Sequence, residues 1–507
     1  MIERIVPALL LGCTVMAQPV AAQTGEVAAE RVGTEFMVFE ADTSEAAKTE
    51  FLRGLALLHN FEYARAASAF QAAQQADPDF AMAYWGEAMT HNHPLWEEQD
   101  RAAALTVLAK LGPTPEARAA KASNPREVMW LDAVETLYGT GSKEERDQLY
   151  LAKMQALHDA DPSDVDARAF TGLAILGTSH GGRQIPIYMQ AAGVLEPGFM
   201  THPMHPGILH YLIHSYDDPI HAPLGERMAE RYATVAPDAG HAQHMVSHIF
   251  HALADWEASE LANINADAVV DRQLAARGRE PTFCGHYNEW LAYALVQQGK
   301  DASAIVNGCR AQAIRQLAAD QSTGKIGAYR SATSSFGTIA LYTGVTSGDW
   351  PEPFELPEGR YLKTRFDMAY ATLLQARDDL DTASAALAEM KQLHTAILAA
   401  LPEEMPDETG LQAWNERIVG QGDAVVLLAS GDTEAGLAAL RESAQQESAM
   451  PVVFGPPAIE KPSYELLGEE LLKRGRKAEA ADAFRASLAF APGRLLSLKG
   501  LGEATAP

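Results

Sequence analysis

The sequence of 507 residues is poor in cysteine, in aromatic residues and in positive charge. It holds 3 cysteines and 7% aromatic residues, and 40 Lys and Arg stand against 67 Asp and Glu, for a net charge of -27. This excess of acidic residues argues against nucleic acid and against anionic membrane surfaces, because both attract Lys and Arg. We therefore expect no nucleic-acid partner.

Long apolar runs and several signature motifs are also missing. After the N-terminal segment no run approaches the roughly 20 apolar residues that a membrane-spanning helix needs, so we predict no transmembrane span. The sequence lacks HEXXH, CxxCH and a phosphate-binding glycine loop, so a thermolysin-like protease, a covalently attached haem and a nucleotide site have no support. Apolar residues recur at three- and four-residue spacing, which is typical of helices rather than strands.

The first 22 residues have the character of a secretory signal peptide. The segment MIERIVPALLLGCTVMAQPVAAQ carries one arginine, a short apolar core and small residues before Gln23, and this pattern predicts a periplasmic or secreted protein. The alternatives are a lipoprotein modified at Cys13 and a short N-terminal helix. After cleavage only Cys284 and Cys309 remain, and they form either one disulfide or two buried thiols.

Two segments near the ends of the chain repeat one spacing of small and aromatic residues. Gly54 precedes Phe70 in GLALLHNFEYARAASAFQAAQQADP, and Gly468 precedes Phe484 at the same distance in ELLGEELLKRGRKAEAADAFRASLAFAPGR. A helix, a tight turn, a second helix and a proline stop have this spacing, which resembles the tetratricopeptide repeat (TPR). We predict an all-α fold of TPR-type helical hairpins that stack into a right-handed superhelical solenoid with a concave inner surface.

The predicted organisation has four parts. They are a signal peptide at 1–22, an N-terminal TPR array with a His-rich groove at 23–348, further helical hairpins after a Pro-rich loop at 349–448, and an extended connector with a C-terminal TPR at 449–507. The Pro-rich stretches DWPEPFELPEGR and AMPVVFGPPAIEKPS supply the two interruptions, because proline and glycine break helices.

Four motifs resemble those of a family of secreted bacterial TPR proteins. They are AMAYWGEAMTHNHPLW, HPGILHYLIHSYDDPIHAPLG, HAQHMVSHIF and CGHYNEWLAY, and the resemblance covers most of the chain. It implies the helical-repeat fold and a secreted protein. It implies no particular activity, because none is established for that family.

Two histidine-rich segments are related by the repeat length. His210 and His244 are 34 residues apart, and the same separation joins His214 to His248 and Asp217 to His251. Within each segment the spacing places these residues on one helical face. Stacked repeats place equivalent positions side by side, so the predicted neighbours are His210 with His244, His214 with His248 and Asp217 with His251.

A third helix, HYNEWLAY, extends this ladder of polar side chains after an insertion. The predicted neighbours are His286 with His241, Glu289 with His244 and Tyr293 with His248. Histidines and carboxylates on three adjacent helices favour a divalent transition-metal site, with Zn, Cu, Mn or Fe as the ion. The predicted ligands are His210, His214, Asp217, His241, His244, His248, His286 and Glu289.

Two other interpretations of the ladder stay open. The histidines could form a neutral hydrogen-bonded ladder without metal, or the groove could bind an acidic peptide. In a catalytic version of the metal site, used for hydrolysis or oxidation, Asp217 or Glu289 would act as general base and Tyr293 would orient the substrate. The alternative function is a non-catalytic TPR scaffold that binds a peptide or protein partner in the groove.

Overall fold

The structure is a computed structural model that describes residues 30–323, 331–400 and 411–507. The predicted signal peptide and Cys13 lie outside these residues. Within them, 23 α-helices follow one another, and the only strands are two antiparallel residue pairs, β1 (Asn92–His93) and β2 (Glu98–Gln99). The predicted all-α fold is therefore confirmed.

The helices of the described part are, in chain order, α1 (Glu45–His59), α2 (Tyr63–Ala76), α3 (Ala81–Met89), α4 (Arg101–Leu111), α5 (Pro115–Ala119), α6 (Pro125–Leu137), α7 (Lys143–Ala160), α8 (Val165–Leu176), α9 (Ile185–Thr201), α10 (Pro206–Tyr216), α11 (Ala222–Val235), α12 (Gly240–Ala252), α13 (Trp256–Ala275), α14 (His286–Gln297), α15 (Ser303–Thr323), α16 (Ala332–Ser347), α17 (Leu362–Gln375), α18 (Leu380–Ala400), α19 (Leu411–Ala429), α20 (Thr433–Ser448), α21 (Ser463–Lys473), α22 (Lys477–Phe490) and α23 (Leu495–Thr505). Short 3-10 helices lie at Thr34–Phe36 and Pro94–Trp96.

The hairpins pack as the TPR-like spacing predicts. A Cβ atom placed at Gly54 on α1 would lie 2.8 Å from the ring of Phe70 on α2. A Cβ atom placed at Gly468 on α21 would likewise lie 2.7 Å from the ring of Phe484 on α22. In both hairpins the aromatic ring occupies the space that a side chain on the first helix would fill, so the two helices approach closely. This packing identifies the helical pairs as TPR-type hairpins.

The apolar core of Arg31–Pro507, which forms one compact unit, has three clusters of buried side chains. They span Val32 to Ala262, Cys284 to Ile339 and Leu341 to Ala504. Cys284 and Cys309 form a disulfide at the start of α14 and within α15. None of the helices in the described residues is both long and apolar enough to cross a membrane.

The C-terminal hairpin returns to the middle of the chain. Arg494, which is fully buried, donates from Nη1 to the hydroxyl of Tyr293 on α14 at 3.1 Å. The backbone amide of Leu495 donates to the side-chain oxygen of Gln297, also on α14, at 2.8 Å. The Pro-rich segment between α20 and α21 contains no helix, and we name residues 449–462 the connector. The connector therefore joins two hairpins. It also runs beside the histidine-bearing helices.

Candidate metal centre

Helices α10, α12 and α14 bring their histidines to one shared wall. The rings of His214 and His248 have centroids 5.8 Å apart, as the repeat arithmetic predicts. On the next helix, the ring of His286 lies 4.6 Å from that of His244. The predicted convergence of three helices is thus present in the structure.

The register of the neighbours differs from the prediction. His210 contacts His241, with ring centroids 5.0 Å apart, where His244 was expected. Asp217 bonds to His248 instead of His251, because it is the C-cap residue of α10 and has left the helical path. Diagonal contacts of this kind arise because side chains on a helix lean toward its N-terminus.

The register of α14 is shifted by nearly one turn from the predicted one. His286 lies beside His244 instead of His241, and Tyr293 stacks on His251 instead of His248, with centroids 5.1 Å apart. The cause is the segment between α13 and α14, which is longer than the turn of a regular repeat. Repeat arithmetic cannot be carried across such an insertion.

The predicted ligands form two histidine clusters and a group that joins them. His244, His248 and His286 form one cluster, and His210, His214 and His241 form the other; in each, one ring nitrogen per residue lies within 4.8 Å of the others. His214, Asp217 and His248 form a third group at the same spacing, which links the two clusters. His286 is solvent-exposed, whereas His210 and His214 are buried. We name the first set the open cluster and the second the closed cluster.

The hydrogen bonds of His244 fix its tautomer. Its Nδ1 lies 2.7 Å from Oδ1 of Asn263, while Nδ2 of that asparagine donates to the Ser259 carbonyl at 2.8 Å. Because the Asn263 oxygen can only accept, Nδ1 of His244 carries the proton. The neutral ring then has a lone pair on Nε2.

His248 is oriented through a carboxylate. Its Nδ1 donates to Oδ2 of Asp217 at 3.0 Å, so in the neutral ring its Nε2 carries a lone pair. The ring is held between Trp290 and Phe454, with centroids at 4.5 and 5.3 Å. Its Nε2 faces Nε2 of His244 at 3.1 Å.

Two lone pairs at this distance repel each other unless a proton or a cation lies between them. Burial, together with the neighbouring His286 and His248, holds the pKa of His244 well below its ordinary value, which disfavours a second proton on the His244 ring. Two imidazole ligands of one tetrahedral zinc ion, with Zn–N bonds of about 2.0 to 2.1 Å, have their nitrogens roughly 3.3 Å apart. The 3.1 Å separation of the two nitrogens matches this arrangement.

Asp217 orients histidines of both clusters and is itself held by Arg183. Its Oδ2 accepts from His248 and lies 3.8 Å from Nδ1 of His214, and its Oδ1 accepts from Arg183. Arg183 also donates to Asp218 at 3.1 Å. Burial alone would raise the pKa of Asp217, but Arg183 and the two histidines outweigh it and keep the pKa well below its ordinary value. A carboxylate held so firmly in the ionised state is a poor general base, so the structure places Asp217 behind the rings as an orienting group.

The other two predicted catalytic residues have different surroundings. Glu289 belongs to none of the groups of metal-ligating atoms that the described residues form. It bonds to Ser335, and burial raises the pKa of its carboxyl. Tyr293 accepts from Arg494 and packs on His251, so its hydroxyl serves the contact with the C-terminal hairpin.

A further histidine network, which the sequence did not reveal, satisfies each of its ring nitrogens within the protein, although Oδ2 of Asp166 has no partner among the described residues. Asp166 accepts from Nε2 of His59 at 3.0 Å and from Nε2 of His205 at 3.2 Å. Nδ1 of His59 accepts from the Tyr211 hydroxyl at 3.0 Å, and Nδ1 of His205 accepts from the Ile208 amide at 3.3 Å. Each ring nitrogen has one complementary partner. Because His205 caps α10 through Nδ1, its proton sits on Nε2, and that nitrogen is not available as a ligand.

Some of these residues carried a signal in the sequence and others did not. Arg183 and Asp217 are 34 residues apart, the repeat length that relates the histidines. A search for polar residues separated by the repeat length could therefore have found Arg183. Asn263 and Phe454 lie on elements outside the ladder, and no spacing relates them to it.

The connector lies over the open cluster and borders a cavity of about 690 Å³. The cavity walls include Trp96, His286, Glu289, Trp290, Trp414 and Phe454. A Cβ atom on Gly455, whose φ is +90°, would lie 2.1 Å from Cζ2 of Trp290. Glycine is therefore required there by both the backbone conformation and the close approach of the indole.

Solved structures of helical-repeat proteins are similar to the chain at low identity. Those structures are the APC/C hetero-tetramer Cut9-Hcn1 (11% identity, 92% of this chain and 78% of that chain covered, TM-score 0.33), the P58(IPK) TPR domain (11%, 90%, 97% and 0.22) and Naa15/Naa10 bound to HypK-THB (11%, 90%, 67% and 0.22). No protein-family profile and no curated protein sequence matches the chain.

Proposed function

We propose that the protein binds a divalent transition metal through His244, His248 and His286. The observation that carries this proposal is the 3.1 Å approach of two Nε2 atoms whose rings both donate through Nδ1. Imidazole nitrogens suit Zn, Cu, Fe and Ni, and outer partners such as Asn263 and Asp217 are typical of metal-bound histidines.

The contrast with the His59 network argues against a purely structural ladder. There, each ring nitrogen that faces a partner is matched as donor to acceptor, and Asp166 supplies the negative charge. In the open cluster, the neutral tautomers that Asn263 and Asp217 favour place two acceptors opposite each other. A ladder evolved for hydrogen bonding alone would place an acceptor opposite a donor, so a bound cation is the better account.

Elemental analysis tests the proposal. The untagged protein is purified and its metals are measured for wild type, His244→Ala and His248→Ala, with His394→Ala as the matched control on α18. We expect stoichiometric metal in wild type and in His394→Ala, with loss of at least one ion per chain in the other two variants. Wild-type protein that stays metal-free after incubation with Zn²⁺ or Cu²⁺ would refute the proposal.

The cavity gives the proposed metal a route to small ligands. His286 and Glu289 both line it, and an ion held by imidazoles supplies Lewis acidity and lowers the pKa of water. Glu289, with its raised pKa, is then the candidate general base for hydrolysis. Loss of activity in Glu289→Gln with unchanged metal content would support catalysis, whereas unchanged hydrolysis of a panel of esters and phosphoesters would exclude this role.

We further propose that the protein works in the periplasm or outside the cell. The Cys284–Cys309 disulfide supports this proposal, because disulfides persist in oxidising compartments. Cell fractionation and mass spectrometry test it. We expect a mature chain that begins at Gln23 in the periplasmic or secreted fraction, and a full-length chain in the cytoplasm would contradict the proposal.

The alternative is a non-catalytic scaffold for a peptide or protein partner. The aromatic walls of the cavity, which include Trp96, Trp290 and Trp414, favour it, since aromatic residues are enriched where proteins bind partners. A partner that binds wild type and His248→Ala equally, but not Trp96→Ala, would support the scaffold. A partner that binds only the metal-loaded protein would not support the scaffold.

A further inference from the structure

The closed cluster has three ring nitrogens without partners. Among the described residues, Nε2 of His210, of His214 and of His241 is buried and has no hydrogen-bond partner. One ring nitrogen of each residue lies within 4.8 Å of the others. A buried polar atom without a hydrogen-bond partner destabilises a fold. Three of them in one place call for a common partner.

In two of these rings the other nitrogen, Nδ1, faces an oxygen atom, as the outer nitrogen of a metal-bound histidine does. Nδ1 of His210 donates to the backbone oxygen of His59 at 2.6 Å. Nδ1 of His214 lies 3.8 Å from Oδ2 of Asp217. A carbonyl or a carboxylate behind Nδ1 fixes the tautomer that leaves a lone pair on Nε2. Nε2 of His210 is therefore prepared as a ligand, and the nearby Asp217 carboxylate favours the same tautomer of His214.

Phe61 covers this cluster. Its ring centroid lies 4.3 Å from that of His210, 6.0 Å from His214 and 5.6 Å from His241. The backbone of Phe61 has a φ of 54°, which is rare for a bulky residue. Ala254 and Gly475 have the same left-handed conformation two residues after the first helix of their hairpins, so it is the turn of the first hairpin that places an apolar ring over three imidazoles.

We infer that His210, His214 and His241 form a second transition-metal site, separate from the open cluster and closed to solvent by Phe61. Three imidazoles without a carboxylate suit Zn, Cu or Ni and disfavour Mg and Ca. The inference goes beyond the proposed function, which needs only the open cluster. Because Asp217 contacts histidines of both clusters, the two sites share one orienting carboxylate.

Metal titration of the apoprotein tests the inference. Co²⁺ is the probe, because its visible absorption reports tetrahedral coordination and Zn²⁺ displaces it. We expect two Co²⁺ ions per wild-type chain and per His394→Ala chain, one per His210→Ala chain and one per His248→Ala chain. The ion left in His248→Ala should exchange with Zn²⁺ at least tenfold more slowly than the ion left in His210→Ala, because Phe61 covers it.

Other outcomes separate this inference from the proposed function. One bound Co²⁺ ion per wild-type chain, retained in His210→Ala and lost in His248→Ala, would overturn the site in the closed cluster and leave the site in the open cluster. No bound cobalt in any form would overturn both. His241→Gln provides a second variant in case His210→Ala does not fold, because His241 is only half-buried. Two ions retained in folded His241→Gln, as judged by circular dichroism, would also overturn the second site.

Discussion

Replacement of Asn263 by leucine distinguishes a metal site from a structural ladder. In the wild type the Asn263 oxygen holds the proton of His244 on Nδ1, so that Nε2 faces Nε2 of His248 as a second acceptor. In Asn263→Leu this restraint is gone. The His244 proton can move to Nε2 and be donated to His248 across the 3.1 Å gap. The metal-free protein then gains a hydrogen bond while the metal site loses a ligand.

The expected loss of metal affinity is larger than the expected change in the stability of the metal-free protein. Loss of the outer partner of a ligating histidine lowers metal affinity by roughly 10- to 100-fold, which is about 1.4 to 2.7 kcal/mol. In the metal-free protein, the lost bond to Asn263 and the new bond to His248 are each worth about 1 kcal/mol. We therefore expect the free energy of unfolding of the apoprotein to change by less than about 1 kcal/mol.

Urea unfolding with and without metal gives both quantities. Bound metal stabilises the fold in proportion to the logarithm of its affinity, so the increment that metal adds should shrink in Asn263→Leu. Asn263→Asp is the matched control, since it retains an acceptor for Nδ1 and should retain metal affinity. An apoprotein destabilised by more than about 3 kcal/mol, together with unchanged metal affinity, would refute the reasoning and favour a structural ladder.

Three further predictions concern the rest of the fold. Burial lowers the pKa of His59 to about 4, so between pH 6.5 and 4 this histidine takes up a proton only in the unfolded chain. We therefore expect the free energy of unfolding to fall by about 3 kcal/mol as the pH is lowered over this range. In His59→Gln the free energy of unfolding should depend less steeply on pH. Replacing Cys284 and Cys309 by serine opens a loop with a separation of 25 residues, and thermal unfolding should show a loss of about 3.5 kcal/mol. Gly455→Ala should displace the connector from Trp290 and expose it to limited proteolysis.

Each of these three predictions has a control and a result that would contradict it. An equal pH slope in wild type and His59→Gln would show that His59 does not titrate as described. Reduction of the wild type should lower its melting temperature to that of the serine variant, and no change on reduction would contradict the disulfide's contribution. Gly475 has a φ of +72° with nothing within 4 Å of its added Cβ atom. Equal proteolysis of Gly475→Ala and Gly455→Ala would show that backbone strain, and not contact with Trp290, is responsible.

The helical hairpins could be predicted because their signal is local. The pairing of Gly54 with Phe70 depends on residues within one repeat, and the structure shows the contact that the spacing implies. The meeting of His214 with His248 could be predicted because two regular repeats lie side by side. Both predictions depended only on the 34-residue repeat length and the helical period.

The finer register could not be predicted because it depends on where helices end. Asp217 left the ladder as the cap of α10, and the insertion before α14 moved His286 by nearly a turn. The ring nitrogen that carries the lone pair in His244 and in His210 depends on their tautomers, and these are set by Asn263 and the His59 carbonyl. Such partners come from second helices or distant repeats and leave no periodic signal.

The return of the C-terminal hairpin to α14 has a consequence for how the protein matures. The contact between Arg494 and Tyr293 joins residues 201 positions apart, so it forms only after the segment that contains Arg494 has been synthesised. Phe454, which lies over His248, belongs to the connector that leads to this last hairpin. For the proposed metal site, the prediction is that ions exchange quickly before the hairpin docks and slowly afterwards, so that the order of synthesis and docking influences which ion the site retains.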